Sequence, residues 1–145
     1  MKSVIQRVYD ASVTVDSEVV GAIGHGLLVY LGIEKGDTLE QLTWLCSKIC
    51  KLRIFSDSEG KMNLSLSEVQ GELLIISQFT LCANLHKGNR PSYEEAAHPV
   101  EAEQLYHKSL GIFAGLGFTV AHGTFGAHMK VTYTNDGPVT MLLDA

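Results

Sequence analysis

The sequence predicts a single α/β domain, 1–145, with mixed strand directions. Three observations carry this expectation. Apolar runs rich in β-branched residues cluster at both ends of the chain. Two segments with helical apolar spacing, starting near Thr38 and Pro99, lie between them. The order is several strands, helix, strand, helix and strands again, without a regular βαβ repeat. A chain of 145 residues, 46% apolar and 19% charged, is an ordinary soluble globule. It is long enough to bury a core without help from metal or disulfide.

The elements follow in order. Val4-Ile5-Gln6-Arg7-Val8-Tyr9 and Ala11–Val15 are strand-like, with Asp10 between them. Ser12, Thr14 and Asp16 alternate with Val13 and Val15, a half-buried pattern. Glu18–Ile23 is its hairpin partner after a turn at Asp16-Ser17. Leu27–Ile33 is apolar on both faces and predicts a central strand. Asp37 or Thr38 caps a helix whose buried face is Leu39, Leu42, Cys46, Ile49 and Leu52. Asp57–Gly60 is a polar turn. Glu72–Thr80 is a second apolar strand, ending at Ser77-Gln78-Phe79-Thr80, and a polar loop from Ala83 to His98 follows. Pro99 suits a helix first turn, Leu105, Ile112, Phe113 and Leu116 supply its contacts, and Gly117 closes it. Phe118–Ala121 reads as a strand. Two last strands, Lys130–Thr134 and Val139–Leu143, flank Asn135-Asp136-Gly137-Pro138.

The bulk properties exclude several function classes. A net charge of −5 rules out a large basic nucleic-acid surface and leaves room for a small footprint. The apolar runs are too short to span a membrane. Strand-like sequence begins at once, with no secretion signal, so a cytoplasmic location is expected. Cys46, Cys50 and Cys82 form no CxxC pair and read as free thiols, with Cys46 as core filler. Six scattered histidines show no ligand spacing, so neither metal nor cofactor is expected.

Four segments are able to carry chemistry. Ser77 and Thr80 lie where a rigid strand runs into a loop; their hydroxyls are either nucleophiles or strand-end caps bonded to backbone. No Gly-x-Ser-x-Gly elbow is present. Lys87 and Arg90, on a Gly- and Pro-containing loop, suit phosphate contact or a solvated surface equally. Phe125, in a glycine-rich loop, offers either a stacking face for a base or a core ring. The Gly137-Pro138 step reads first as a turn between two strands. Such a step also frees main-chain carbonyls to bind something else.

Together these segments resemble the D-aminoacyl-tRNA deacylase (D-tyrosyl-tRNA deacylase) family over nearly the whole chain. The residues that carry the resemblance are Val4–Val8, Ala11–Val15, Leu52–Phe55, Gly60–Ser65 and Lys87–Ser92, with Phe125-Gly126-Ala127. Two signatures, Ser77-Gln78-Phe79-Thr80-Leu81 and Asn135–Thr140, stand in the family order. The loop around Lys87 departs from the family pattern at Leu85-His86, Asn89 and Tyr93.

The resemblance implies a three-layer α/β/β fold of mixed sheets and two main helices, assembled as a homodimer with active sites at the interface. It implies a hydrolase for translation quality control, which splits the ester joining a D-amino acid to the acceptor end of tRNA. L-aminoacyl-tRNA is rejected and glycyl-tRNA mischarged on tRNA(Ala) is also a substrate. Ser77, Gln78, Phe79 and Thr80 form the catalytic segment. Gly137 and Pro138, joined by a cis bond, enter from the partner subunit to select chirality. Arg7, Asn135 and Met129 support them, and Lys87, Arg90 and Phe125 contact the tRNA. Neither membrane nor DNA is an expected partner. Two other readings remain: a related proofreader of L-alanyl-tRNA, and a catalytically idle tRNA-end or replication-linked binding module.

Overall fold

The computed structural model describes residues 1–86 and 88–145. In chain order the elements are β1 (Lys2–Val15), β2 (Glu18–Ile23), β3 (Gly26–Gly32), α1 (Leu39–Cys50), β4 (Phe55–Ser56), β5 (Met62–Leu64), β6 (Glu72–Ser77), α2 (Pro99–Gly115), β7 (Val120–His122) and β8 (Lys130–Asp144). A single 3-10 turn, Phe79–Cys82, follows β6. The main sheet runs β2-β1-β3-β6-β7, with β8 paired along the other side of β1. β1 is antiparallel to β2, β3 and β8, whereas β3, β6 and β7 are parallel. The expected mixture of directions is therefore present. β4 and β5 form a separate small hairpin.

Two apolar clusters occupy the two faces of the sheet. Side chains of a strand alternate between faces, so neighbours in β3 and β6 part company. Leu27, Val29, Leu31, Leu73 and Ile75 join Leu42, Leu45, Cys46, Ile49, Tyr106 and Phe113 from the helices. Leu28, Leu74 and Ile76 join Val8, Ala11, Val13 and Ile23, a cluster whose fully buried members come from strands alone. The sheet curls around this second cluster until its outer strands nearly touch. A Cβ on Gly21 would lie 2.6 Å from the His122 carbonyl.

The two N-terminal runs are one strand rather than two. Its ladder slips between Gln6 and Val8 and again between Val8 and Asp10. Ile5 points to the helix side and Val8 to the other by ordinary alternation, and the irregularity after Val8 keeps Ala11 and Val13 on the same side as Val8. Tyr9 and Asp10 stay exposed at the irregularity. The two C-terminal runs are likewise one strand, β8, which passes through Gly137-Pro138 without turning back.

Helix ends follow their caps. Thr38, not Asp37, caps α1 in a capping box with Gln41. Asp37 instead accepts from the Met1 ammonium at 2.8 Å. Leu39 is exposed, because the first residue of α1 lies beyond the core, and Leu45 is buried in its stead. Gly117 (φ +93) ends α2 as expected, while Leu116 is largely exposed. The amides of Gly117 and Phe118 bond back to Ala114 and Phe113. That cap occupies Phe118, so the strand expected from Phe118 begins at Val120. Among the described residues no helix is long and apolar enough to cross a membrane.

Candidate active site

A cavity of about 770 Å³ opens at the C-terminal ends of the parallel strands β3, β6 and β7. Ligand crevices of open α/β sheets form there, because the chain leaves the sheet in loops on that edge. The segment after β3 contributes Lys35. β6 contributes Ile76 and Ser77, and the segment after β7 contributes 125–129. The start of α2 and the residues before it close the fourth wall.

Ser77 is the last residue of β6. The Gln78 amide still donates to the Leu31 carbonyl of β3 at 2.8 Å, then the chain tightens into the 3-10 turn. Leu81 and Ala83 close that turn onto Gln78 and Thr80, and Cys82 is buried beneath it. Burial pushes the Cys82 thiol up to about 11, so it stays a neutral packing group. The first amides of a helical turn have no partner within it. Phe79 and Thr80 open the turn, so their amides are available as donors. The Thr80 hydroxyl is exposed and accepts from Gln78 Nε2. No described acid or base hydrogen-bonds to it. The exposed ring of Phe79 meets Tyr93 edge-on at 5.0 Å.

The second signature forms a bulge in β8. Val8 pairs with Asn135 and Gln6 with Thr140, so four residues, Asp136–Val139, stand opposite Arg7 alone. Bulges are where a strand accommodates proline and re-aims its backbone. The Gly137-Pro138 bond is cis, and Gly137 has φ +120. A Cβ at Gly137 would meet Val139 Cγ2 at 2.7 Å, so the position admits only glycine without strain. Asn135 closes the base of the bulge: its side-chain amide donates to Arg7 O at 2.9 Å and Val139 O at 3.1 Å. Buried Arg7 supports it from below. Its Nη1 donates to Ile54 O at 2.6 Å, and its Nε lies 2.6 Å from Asp136 Oδ2. The latter pair is out of line for a hydrogen bond and acts as an ion pair.

The two signatures do not meet within one chain. Ser77 pairs with Leu31, whereas Arg7, beside the bulge, pairs with Leu27. Four residues of β3 separate these positions, about 13 Å along the strand. Neither Gly137 nor Pro138 borders the cavity. Of the other predicted residues, Met129 and Phe125 line the cavity, and Arg90 is exposed and not among its lining residues. Lys87 lies outside the described residues. Lys35, Glu94 and His98 also line the cavity but stand out in no sequence motif. Recognising β3 and β6 as parallel would have pointed to Lys35, which follows the end of β3.

A family model described as D-Tyr-tRNA(Tyr) deacylase matches residues 4–144. A D-aminoacyl-tRNA deacylase of Geotalea uraniireducens (strain Rf4) is 55% identical over 144 residues, covering 99% of this chain and 93% of that protein. One of Desulfitobacterium hafniense (strain DSM 10664 / DCB-2) is 51% identical over 145 residues, covering 100% and 97%. A solved structure described as c-Myc DNA Unwinding Element Binding Protein superposes with TM-score 0.94 at 42% identity, covering 100% of this chain and 99% of that one. A probable eukaryotic D-amino acid tRNA deacylase has the same fold, with TM-score 0.83 at 19% identity, covering 99% and 98%.

The Arg7 support has a measurable consequence. Arg7→Met leaves Asp136 unpaired at 17% side-chain exposure and the Ile54 carbonyl without its donor. Urea unfolding should show a loss of about 2–4 kcal/mol. The loss should shrink when Asp136 is already Asn. A cost under about 1 kcal/mol would mean the bulge holds itself.

Proposed function

This chain belongs to the D-Tyr-tRNA(Tyr) deacylase family, and we propose that it hydrolyses the ester of D-aminoacyl-tRNA, releasing the free D-amino acid and tRNA. The observation that carries the reading is the pairing of two half-sites. One is a cavity lined by Ser77, Gln78 and Phe79 with Thr80 next in the same turn, and the other a fixed main-chain bulge that does not border that cavity. The bulge is suited to completing the cavity of a second copy, so the working unit is a homodimer in the cytoplasm with two active sites at its interface.

In this arrangement the terminal adenosine enters the cavity, with Phe125 and Met129 in its wall. The ester carbonyl lies against the Phe79 and Thr80 amides. As water adds to the carbonyl, negative charge grows on its oxygen and those amides stabilise it. The bond to the ribose 3′ oxygen then breaks, and that oxygen takes up a proton. The tRNA and the amino acid leave separately. The neighbouring ribose 2′-hydroxyl assists the attack. Thr80 has only Gln78 as partner among the described side chains, and an amide is no base, so the Thr80 hydroxyl lacks what a nucleophile needs.

Selection falls to the partner subunit's Gly137 and Pro138. Their carbonyls accept from the substrate's ammonium group and occupy the space an L side chain requires. A device of main chain reads the substituents at Cα and ignores side-chain identity. It therefore accepts many D-amino acids and rejects L ones. Glycine, with no side chain to clash, passes, so glycyl-tRNA mischarged on tRNA(Ala) is a substrate.

A second reading draws on the solved relative described as a DNA unwinding element binding protein. Under it the same dimer is a nucleic-acid binding module without turnover.

Release of D-tyrosine from D-tyrosyl-tRNA, set against the L form, separates these readings. The D ester should be cleaved at least about a hundredfold faster. Equal inertness to both would leave only binding. Thr80→Ala keeps both amides and should retain activity within about tenfold of the parent. Near-total loss of turnover with substrate binding intact would return the nucleophile role to Thr80.

A further inference from the structure

We propose that Tyr106 is a positioning residue for this reaction: its buried hydroxyl ties segment 123–129, whose residues 125–129 wall the cavity, to β6, the strand that delivers Ser77–Thr80. The proposal rests on the deacylase reading and adds a residue that neither signature contains.

Tyr106 lies on α2 and is 1% exposed. Its hydroxyl is 2.9 Å from the Ile75 carbonyl and 3.5 Å from the Gly123 carbonyl. A hydroxyl has one proton, so it donates to Ile75, with Gly123 as the weaker alternative acceptor. The Gly123 amide donates to the same Ile75 carbonyl at 3.1 Å. These three groups form a junction two residues before Ser77, where the wall leaves the sheet. Burial pushes the Tyr106 hydroxyl up to about 12, so it keeps its proton and remains a donor at any working pH.

The wall needs such a tether. β7 has three residues, and its ladder with β6 ends at the Ile75–His122 pair. Beyond it the chain passes through a turn before β8 begins at Lys130. Two residues of this stretch touch the junction and also border the cavity. The Phe125 ring is 5.7 Å from the Tyr106 ring, and Met129 Sδ packs on Gly123. A shift at Gly123 is therefore passed to both side chains that face the substrate. The Ile75 carbonyl keeps the Gly123 amide when the hydroxyl is removed. Loss of the hydroxyl should loosen the wall without displacing the catalytic turn.

Tyr106→Phe removes the hydroxyl and keeps the ring. With D-tyrosyl-tRNA as substrate, KM should rise roughly fivefold while kcat stays within about twofold. Amide hydrogen exchange should quicken in 123–129 and nowhere else. Ser109→Ala provides the comparison: it deletes the buried 2.6 Å bond from Ser109 to the Tyr106 carbonyl, inside α2. It should lower Tm with KM unchanged. The proposal is overturned if Tyr106→Phe leaves KM and wall exchange at parental values, or if it behaves as Ser109→Ala does. Parent protein inert to D-tyrosyl-tRNA would sink the deacylase reading instead. The exchange comparison would still decide the tether, with faster exchange confined to 123–129 upholding it and unchanged exchange overturning it.

Discussion

Arg7 is held where a strand would ordinarily present a small or apolar side chain, and its burial governs the shape of β8. Its guanidinium is shared between the Ile54 carbonyl and the Asp136 carboxylate. A buried cation is tolerated only when its charge is matched. Meeting that requirement draws Asp136 inward and forces the ladder to slip. Four residues of β8 are thereby set against one of β1. Asn135 then closes the base with two bonds from one amide group. The outcome is a segment of main chain whose outward aim is fixed by a charge and two hydrogen bonds. Such an element can discriminate at Cα without consulting the side chain, which is what sorting by chirality requires.

The cavity answers to a different constraint. Three parallel strands end on one edge of the sheet, and the loops leaving them enclose about 770 Å³. The turn after β6 starts with two amides that have no acceptor within it. The antiparallel pairing of β1 with β3 then puts Arg7 and its bulge toward the other end of the same strands. Each chain thus holds two signature segments that its own topology keeps apart. Under the proposed homodimer, a second copy related by a two-fold axis would supply each half with its complement, because a symmetric interface offers every contact twice.

Much of this was legible in the sequence, and the rest follows a pattern. Local signals were read correctly where one side chain decides the outcome: Gly117 after α2 and Pro99 at a helix start, while the α1 cap was narrowed to Asp37 or Thr38, of which Thr38 holds it. Strand continuity was misread where the ladder decides. Asp10 and Gly137-Pro138 looked like interruptions, yet in both places the backbone slips register and continues, because β1 and β8 pair on both sides of each irregularity. Ser77–Thr80 and Gly137-Pro138 stood out as candidates by their motifs. Lys35, His98 and Tyr106 did not, since they reach the cavity or its wall from distant segments through parallel strand order and helix packing. No spacing in the sequence encodes that meeting.

The central claim is that one working site draws on two chains, and mixing two crippled variants tests it directly. Phe79→Pro deletes one free amide at a first-turn position that proline tolerates. Gly137→Ala puts a Cβ against Val139 and spoils the bulge. Each variant alone should lose deacylase activity. Unfolding them together and refolding an equal mixture should restore about a quarter of parental activity on D-tyrosyl-tRNA, because half of the dimers then contain one site with both parts intact. A mixture no more active than its components would mean that both signatures serve the same chain's site, and the two-chain account would be wrong.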